Sequence, residues 1–192
     1  ITHNVLSDNL FDGDQSAFER LYTAVDPDIL HLQEIYGSTA AETRDLIASW
    51  LGGSWHAAEV FDCITVSRYP VLDAWAIDGN LAVLLDTTAI LGTPILCLNA
   101  HLPCCANDSG RQDEVDAIVA FIRDPYAPGG VVDLAANVPV TISGDLNLVG
   151  LAQQLVTLLE GDIIDEGTHG ADHPPDPDAS ALTSVVSRQT EK

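Results

Sequence analysis

Five polar side chains stand where short apolar runs end. Their types (amide, carboxylate and imidazole) are those that hold ligands and move protons. Asn4 lies in the run of residues 2–6, and Glu34 follows Ile29-Leu30-His31-Leu32-Gln33. His101 closes the run that starts at Pro94, within Asn99-Ala100-His101-Leu102. Asp145 and Asn147 follow Val140-Thr141-Ile142-Ser143, within Gly144-Asp145-Leu146-Asn147. In α/β sheets the strand ends form the crevice where ligands bind, so polar residues there act on ligands more often than residues elsewhere. Each also has a plain structural reading. Asn4 can satisfy backbone groups at a strand edge, and His101 can be a hydrogen-bonded core histidine. Asp145 and Asn147 can be turn formers after Gly144. Glu34 is harder to set aside, because an unpaired buried carboxylate is costly, although it can equally open a solvated loop.

The runs that carry these residues belong to an alternation of strands and helices. Residues 16–24 place Phe18, Leu21 and Tyr22 on one helix face, and Asp26-Pro27-Asp28 ends that helix before a buried strand over 29–33. Residues 39–51 form a second helix with Leu46, Ile47, Trp50 and Leu51 on its apolar side, stopped by Gly52 and Gly53. Residues 55–60 and 63–67 read as paired strands, as do 81–86 and 94–99 with a turn around Gly92. Residues 110–123 are amphipathic, with Val115, Ile118, Val119 and Ile122 on one stripe. A Pro/Gly-rich loop over 124–137 leads to a buried strand at 138–143 and a helix at 151–159. From Gly161 onward Asp, Pro, Ser and Thr dominate without periodicity, which divides the chain into residues 1–160 and an irregular segment, 161–192. Paired strands among alternating helices predict an α/β fold with mixed sheets. No G-x-G-x-x-G or G-x-x-x-x-G-K-S/T phosphate loop occurs.

Composition limits what such a fold can bind. Asp and Glu number 29 against 7 Lys and Arg, a net charge of −22, and the one lysine is Lys192. Phosphate binding through a basic groove needs clustered Lys and Arg, so the charge argues against it unless a bound metal supplies the cation. With 46% hydrophobic residues the chain has material for a core, which excludes a disordered protein. No apolar stretch reaches the roughly 20 residues of a membrane span. The chain has no methionine and begins Ile1-Thr2-His3-Asn4-Val5, so it is expected to be a processed chain or a fragment. An acidic, nearly lysine-free surface suits an extracellular or periplasmic protein, or one from a high-salt environment. Secretion permits disulfides among Cys63, Cys97, Cys104 and Cys105. A Cys104–Cys105 bridge would be strained, because adjacent Cα atoms stand about 3.8 Å apart. Pairing of one of them with another cysteine and a strained bridge beside His101 are both open.

Taken together, Asn4-Val5, residues 27–34 ending in Gln33-Glu34, Ser67-Arg68-Tyr69-Pro70, Asn99-Ala100-His101-Leu102 and Ser143-Gly144-Asp145-Leu146-Asn147 resemble the endonuclease/exonuclease/phosphatase superfamily. They match it in order and spacing over residues 2–161. That superfamily includes deoxyribonuclease-I-like nucleases, abasic-site endonucleases, inositol polyphosphate phosphatases and secreted sphingomyelinases. Cys104-Cys105, Arg111-Gln112 and residues 144–150 look like a secreted bacterial branch. The resemblance implies two mixed β-sheets packed as a four-layer sandwich with helices outside. It also implies a phosphoesterase dependent on Mg²⁺, or on Mn²⁺ or Ca²⁺. Glu34 would be the metal carboxylate, with Asn4 helping to hold that site. His101 would contact the phosphate or assist proton transfer, Asp145 would position or activate the attacking water, and Asn147 would contact the scissile phosphate.

One departure qualifies this. The family's domain closes with further strands and a Ser-Asp-His motif, and Asp172-His173-Pro174 in its Pro/Asp-rich setting is a poor match. The domain is therefore expected to be incomplete in this chain, with the rest on a second chain, or replaced by self-assembly. The function expected is hydrolysis of phosphodiesters, DNA among them, by metal-assisted in-line attack of water. The alternative is a catalytically incomplete structural or assembly subunit that keeps the fold and needs a partner chain.

Overall fold

A computed structural model describes residues 1–127, 129–130, 132–148, 152–176 and 178–185. The chain divides into two compact units, Ile1–Arg111 with Asn137–Asn147, and Gln112–Ala136 with Leu148–Lys192. The first unit carries β1 (Thr2–Asn4), α1 (Asn9–Asp12), α2 (Gln15–Val25), β2 (Ile29–Gln33) and α3 (Ala40–Leu51). It continues with β3 (His56–Val60), β4 (Cys63–Ser67), β5 (Val71–Ile77), β6 (Asn80–Leu85), α4 (Thr88–Leu91) and β7 (Ile95–His101). Helix α5 (Asp108–Arg123) runs from the first unit into the second, and β8 (Val140–Asp145) belongs to the first. The second unit adds α6 (Ala152–Glu160) and α7 (Glu166–His169). The segment after Gly161 is thus not wholly irregular, since it holds α7. Among the described residues no helix is long and apolar enough to cross a membrane.

The eight strands among the described residues lie in the first unit, in two four-stranded mixed sheets ordered β1-β2-β4-β3 and β5-β6-β7-β8. The pairs β1/β2 and β7/β8 are parallel and the others antiparallel. The sheets pack face to face, so the expected α/β sandwich is present. Alternation along β2 and β4 sorts their side chains. Leu30, Leu32, Ile64 and Val66 join Tyr22 of α2, Ile47 of α3 and Trp55 in one core. The opposite face turns to the second sheet, where Val83, Leu85 and Cys97 pack with Ile29, Ala58 and Tyr69.

That inner face is unusually polar. His31 and Thr65 are buried there and bonded through Nδ1 and Oγ1 at 2.9 Å. Burial pushes the His31 imidazole down to about 3, which keeps it neutral. Gln33 and Asn99 are both fully buried, and Gln33 Nε2 donates to Asn99 Oδ1 at 2.6 Å across the sheets. The β2–β4 ladder ends at Leu32↔Ile64. Asn99 Nδ2 donates to the carbonyls of both residues at 3.1 Å, binding the second sheet to the end of that ladder.

The sequence-predicted strands differ from the structure at one edge. Strand β5 was not expected, because its residues are largely exposed and it bulges between Val71 and Asp73. Its signal is the Asp78-Gly79 turn, both residues at positive φ (42° and 89°), which makes a two-residue hairpin to β6. The pair over 81–86 and 94–99 forms as β6 and β7, but its connection includes α4.

Replacing Asn99 by Ala removes its bonds to the Leu32 and Ile64 carbonyls and leaves Gln33 without its partner across the core. The expected loss is about 3 kcal/mol of stability, read from the midpoint of urea denaturation at unchanged slope. A loss near zero would remove the amide pair from its structural role.

Candidate active site

The strands β1, β2, β7 and β8 bring Asn4, Glu34, His101, Asp145 and Asn147 to one end of the sandwich, as the sequence predicts. Residues from both sheets, with the loop after β7, line a cleft of about 310 Å³: Glu34, Tyr36, His101, Leu102, Pro103, Cys104, Asp145 and Asn147. Asn4 sits behind it. Its Nδ2 donates to Glu34 Oε1 at 2.8 Å and to Asp145 Oδ2 at 2.9 Å, bridging a carboxylate from each sheet. Its Oδ1 accepts the Leu6 N–H at 2.9 Å, which fixes the direction of the amide.

Glu34 is placed by backbone strain as much as by β2. Its φ is 65°, so the chain leaves the strand in a left-handed conformation uncommon for a side-chain-bearing residue. Donors over-determine that conformation. The Glu34 N–H donates to Asp62 Oδ2 at 3.1 Å, and Oε2 accepts the Ser7 N–H at 2.7 Å. Asp145 sits at the end of β8 beside a glycine that no other residue can replace. Gly144 has φ 147°, and a Cβ there would lie 1.8 Å from the Ala100 carbonyl oxygen on β7. Beyond it the Leu102 N–H donates to the Asp145 carbonyl at 3.0 Å, and Asn147 N–H to Asp145 Oδ1 at 3.2 Å. Asn147, at φ 45°, donates from Nδ2 to the Leu102 carbonyl at 2.8 Å. This clamps the loop after β7 to the loop after β8.

His101 is held at two points. Its N–H donates to Asn80 Oδ1 at 2.8 Å, and its Nδ1 lies 2.6 Å from Asp62 Oδ2. Asp62 is the functional candidate that sequence reasoning missed. It stands in the two-residue turn between β3 and β4, where Val60 pairs with Cys63 and Phe61 has φ 50°. An Asp in a tight turn reads as a turn former, and nothing local distinguishes this one. The hydrogen bond to Asp62 raises the His101 pKa above its ordinary value, against burial and with help from the charges of Asp62, Asp145 and Glu34. Burial alone would raise the Asp62 pKa, but the bond and charge of His101 hold it below the usual carboxylate value. The two groups therefore favour the imidazolium–carboxylate pair.

The loop over 103–107 is anchored from below by Arg111, which is fully buried. Its Nη1 donates to the Pro103 carbonyl at 2.6 Å, and Nη2 pairs with Asp108. Arg68, in the Ser67-Arg68-Tyr69-Pro70 motif, works away from the cleft. It donates to Asp26 at 2.7 Å and its guanidinium lies 4.4 Å from the Trp55 ring centre. All four cysteines are thiols, Cys63 and Cys97 buried in β4 and β7, and Cys104 and Cys105 exposed beyond His101. His173 belongs to the second unit, where its N–H donates to the Gly161 carbonyl at 3.0 Å.

The donor set can be tested against a divalent cation. Two carboxylates share a single bridging amide, and among the described residues no Lys or Arg lines the cleft. A cation would offset the repulsion of two like charges so placed. Oxygen donors with room for water and phosphate suit Mg²⁺, which binds through one or two carboxylates and keeps several waters. Among the described residues no group of three or more His, Cys, Asp or Glu is placed to hold a metal ion. Glu34, its carboxylate oriented by the Asn4 amide, could hold a cation only together with substrate and water.

The pKa directions set a pH window. His101, raised above 6.5, contributes its pairing energy fully below pH 6.5 and loses it as pH climbs through the folded value. Asp62, lowered from 3.8, contributes fully above pH 3.8 and loses it as pH falls through the folded value. NMR titration of metal-free protein should place the His101 imidazole above 6.5 and show it fall in Asp62→Asn. The same value in both proteins would refute the pairing.

Neither a protein-family model nor a curated protein sequence matches the chain. Solved structures do. ANGEL2, described as a 2′,3′-cyclic phosphatase, aligns with TM-score 0.61 at 18% identity, over 83% of this chain and 55% of that one. Humanized D. rerio TDP2 aligns with TM-score 0.58 at 15% identity, over 79% of this chain and 63% of that one. A β-hairpin deletion mutant of beta toxin from Staphylococcus aureus aligns with TM-score 0.55 at 16% identity, over 80% and 71%. This chain thus spans about half to two-thirds of the length of those relatives. At such identities the likeness is one of fold: this chain shares the fold of those solved structures over about four-fifths of its length.

Proposed function

We propose that the chain carries the site of a metal-dependent phosphodiesterase that hydrolyses its substrate by in-line attack of water. The observation that carries this reading is the bridge from Glu34 through Asn4 to Asp145, set beside the His101–Asp62 pair in a cleft that no Lys or Arg among the described residues lines. The fold neighbours lend support. One is described as a 2′,3′-cyclic phosphatase, TDP2 was solved with a single-strand DNA product, and a mutant beta toxin with bound magnesium ions.

Glu34 would hold Mg²⁺, or Mn²⁺ or Ca²⁺ in its place, with Asn4 fixing the carboxylate. When bound there, the ion supplies the positive charge that neutralises the phosphoryl oxygens. Asp145, immobilised by Asn4, orients and deprotonates the attacking water. His101 has Nδ1 committed to Asp62, so Nε2 is the atom that donates to the phosphate or to the departing oxygen. Asn147 has its Nδ2 on Leu102 and extends its amide toward the same cleft, where it contacts the phosphate. Asp62 positions His101 and favours the charged form that can donate. The acidic composition would suit an extracellular or high-salt setting, where screening weakens its repulsion of an anionic substrate.

After dialysis against EDTA, hydrolysis of bis-p-nitrophenyl phosphate should vanish and return with Mg²⁺. Glu34→Ala should reduce it to background, and Asp145→Asn should lower kcat by about 10²–10⁴-fold. Absence of metal-dependent turnover in the full chain would sink the enzyme reading in favour of a non-catalytic module.

A further inference from the structure

Tyr36 is a cleft-lining side chain that the roles above leave unused. It is 63% exposed, yet it is not a loose surface residue. Its N–H and that of Gly37 both donate to Asp8 Oδ1, at 2.7 and 3.1 Å. The Asp8 N–H in turn donates to the Glu34 carbonyl at 2.9 Å, so the backbone of Tyr36 is tied to the candidate metal ligand. The ring itself lines the cleft with Glu34, His101 and Asp145 and stays exposed there.

An exposed aromatic ring there answers a problem of affinity. None of the eight cleft-lining residues is Lys or Arg, and the whole chain carries a charge of −22. A polyanion gains little from such a surface, because its phosphate contacts need cationic side chains. Stacking of a base on an aromatic ring needs none, and it is worth roughly 10-fold or more in affinity per base whatever the base. Duplex DNA is poorly suited on both counts, since its charge density is high and its bases are already stacked on each other.

We propose that Tyr36 is the platform for a nucleobase, and that the substrate is a short single-stranded nucleotide phosphodiester rather than duplex DNA or an aliphatic diester. The inference rests on the phosphodiesterase reading above and adds its substrate class. The base lies on Tyr36 while the scissile phosphate faces Glu34, Asp145 and His101.

Two esters with the same leaving group isolate the base: p-nitrophenyl thymidine-5′-phosphate and methyl p-nitrophenyl phosphate. The full-length wild type with Mg²⁺ should prefer the nucleoside ester in kcat/KM. Tyr36→Ala should shrink that preference about 10-fold or more, and Tyr36→Phe, which keeps the ring, should retain it. A second measurement needs no turnover: in Tyr36→Trp, the added indole fluorescence should be quenched by the dinucleotide d(TpT). If the preference is unmoved in Tyr36→Ala, or lost equally in Tyr36→Phe, the platform is refuted while the phosphodiesterase stands. If the wild type hydrolyses neither ester, the phosphodiesterase reading falls and the substrate class with it.

Discussion

The amide pair between Gln33 and Asn99 is the contact on which the rest of the site depends. It is a fully buried polar bond between two sheets, made where the β2–β4 ladder has just ended. Left unpaired, these amides would cost several kcal/mol, so the sandwich is stable only where their partners meet. Apolar packing tolerates small shifts of one sheet over another, but hydrogen bonds of 2.6 and 3.1 Å do not. The seam therefore fixes the relative position of the sheets near the strand ends. Both halves of the active site hang from it, because Asn4, Glu34 and Asp62 come from the first sheet and His101, Asp145 and Asn147 from the second.

A second constraint is electrostatic. The cleft gathers Glu34, Asp145 and, behind His101, Asp62, and the Asp62 bond raises the pKa of the imidazole beside them. A bound cation would offset the repulsion within such an acidic lining. The backbone contributes too. Glu34 and Asn147 are both held at positive φ, in conformations that persist because surrounding hydrogen bonds over-determine them. Such strain aims short side chains with little freedom to drift.

Much of this was legible in the chain. The apolar runs ending in Asn4, Glu34, His101 and Asp145 mark strand ends, and those four residues do converge. The mixed pairing of strands also followed from the short spacings between 55–60 and 63–67 and between 81–86 and 94–99. Other features were hidden for specific reasons. Strand β5 is an exposed edge without a clean alternation, and its Asp78-Gly79 turn was the signal to weigh. Nothing in the sequence marked Arg111 as fully buried beneath Pro103. Asp62 looked like any turn aspartate, and Tyr36 like any exposed tyrosine.

What the sequence determined by itself was local: which runs form strands, where they stop, and that polar residues of hydrolytic type stand at the stops. Periodicity and turn chemistry act over a few residues, and they are written in composition and spacing. What only the tertiary structure decided was partnership. Asn4 meets Asp145 across 141 positions, Gln33 meets Asn99 across 66, and His101 meets Asp62 across 39. No local propensity encodes those distances. They are set by how two sheets seat on each other, and the buried amides admit one such seating.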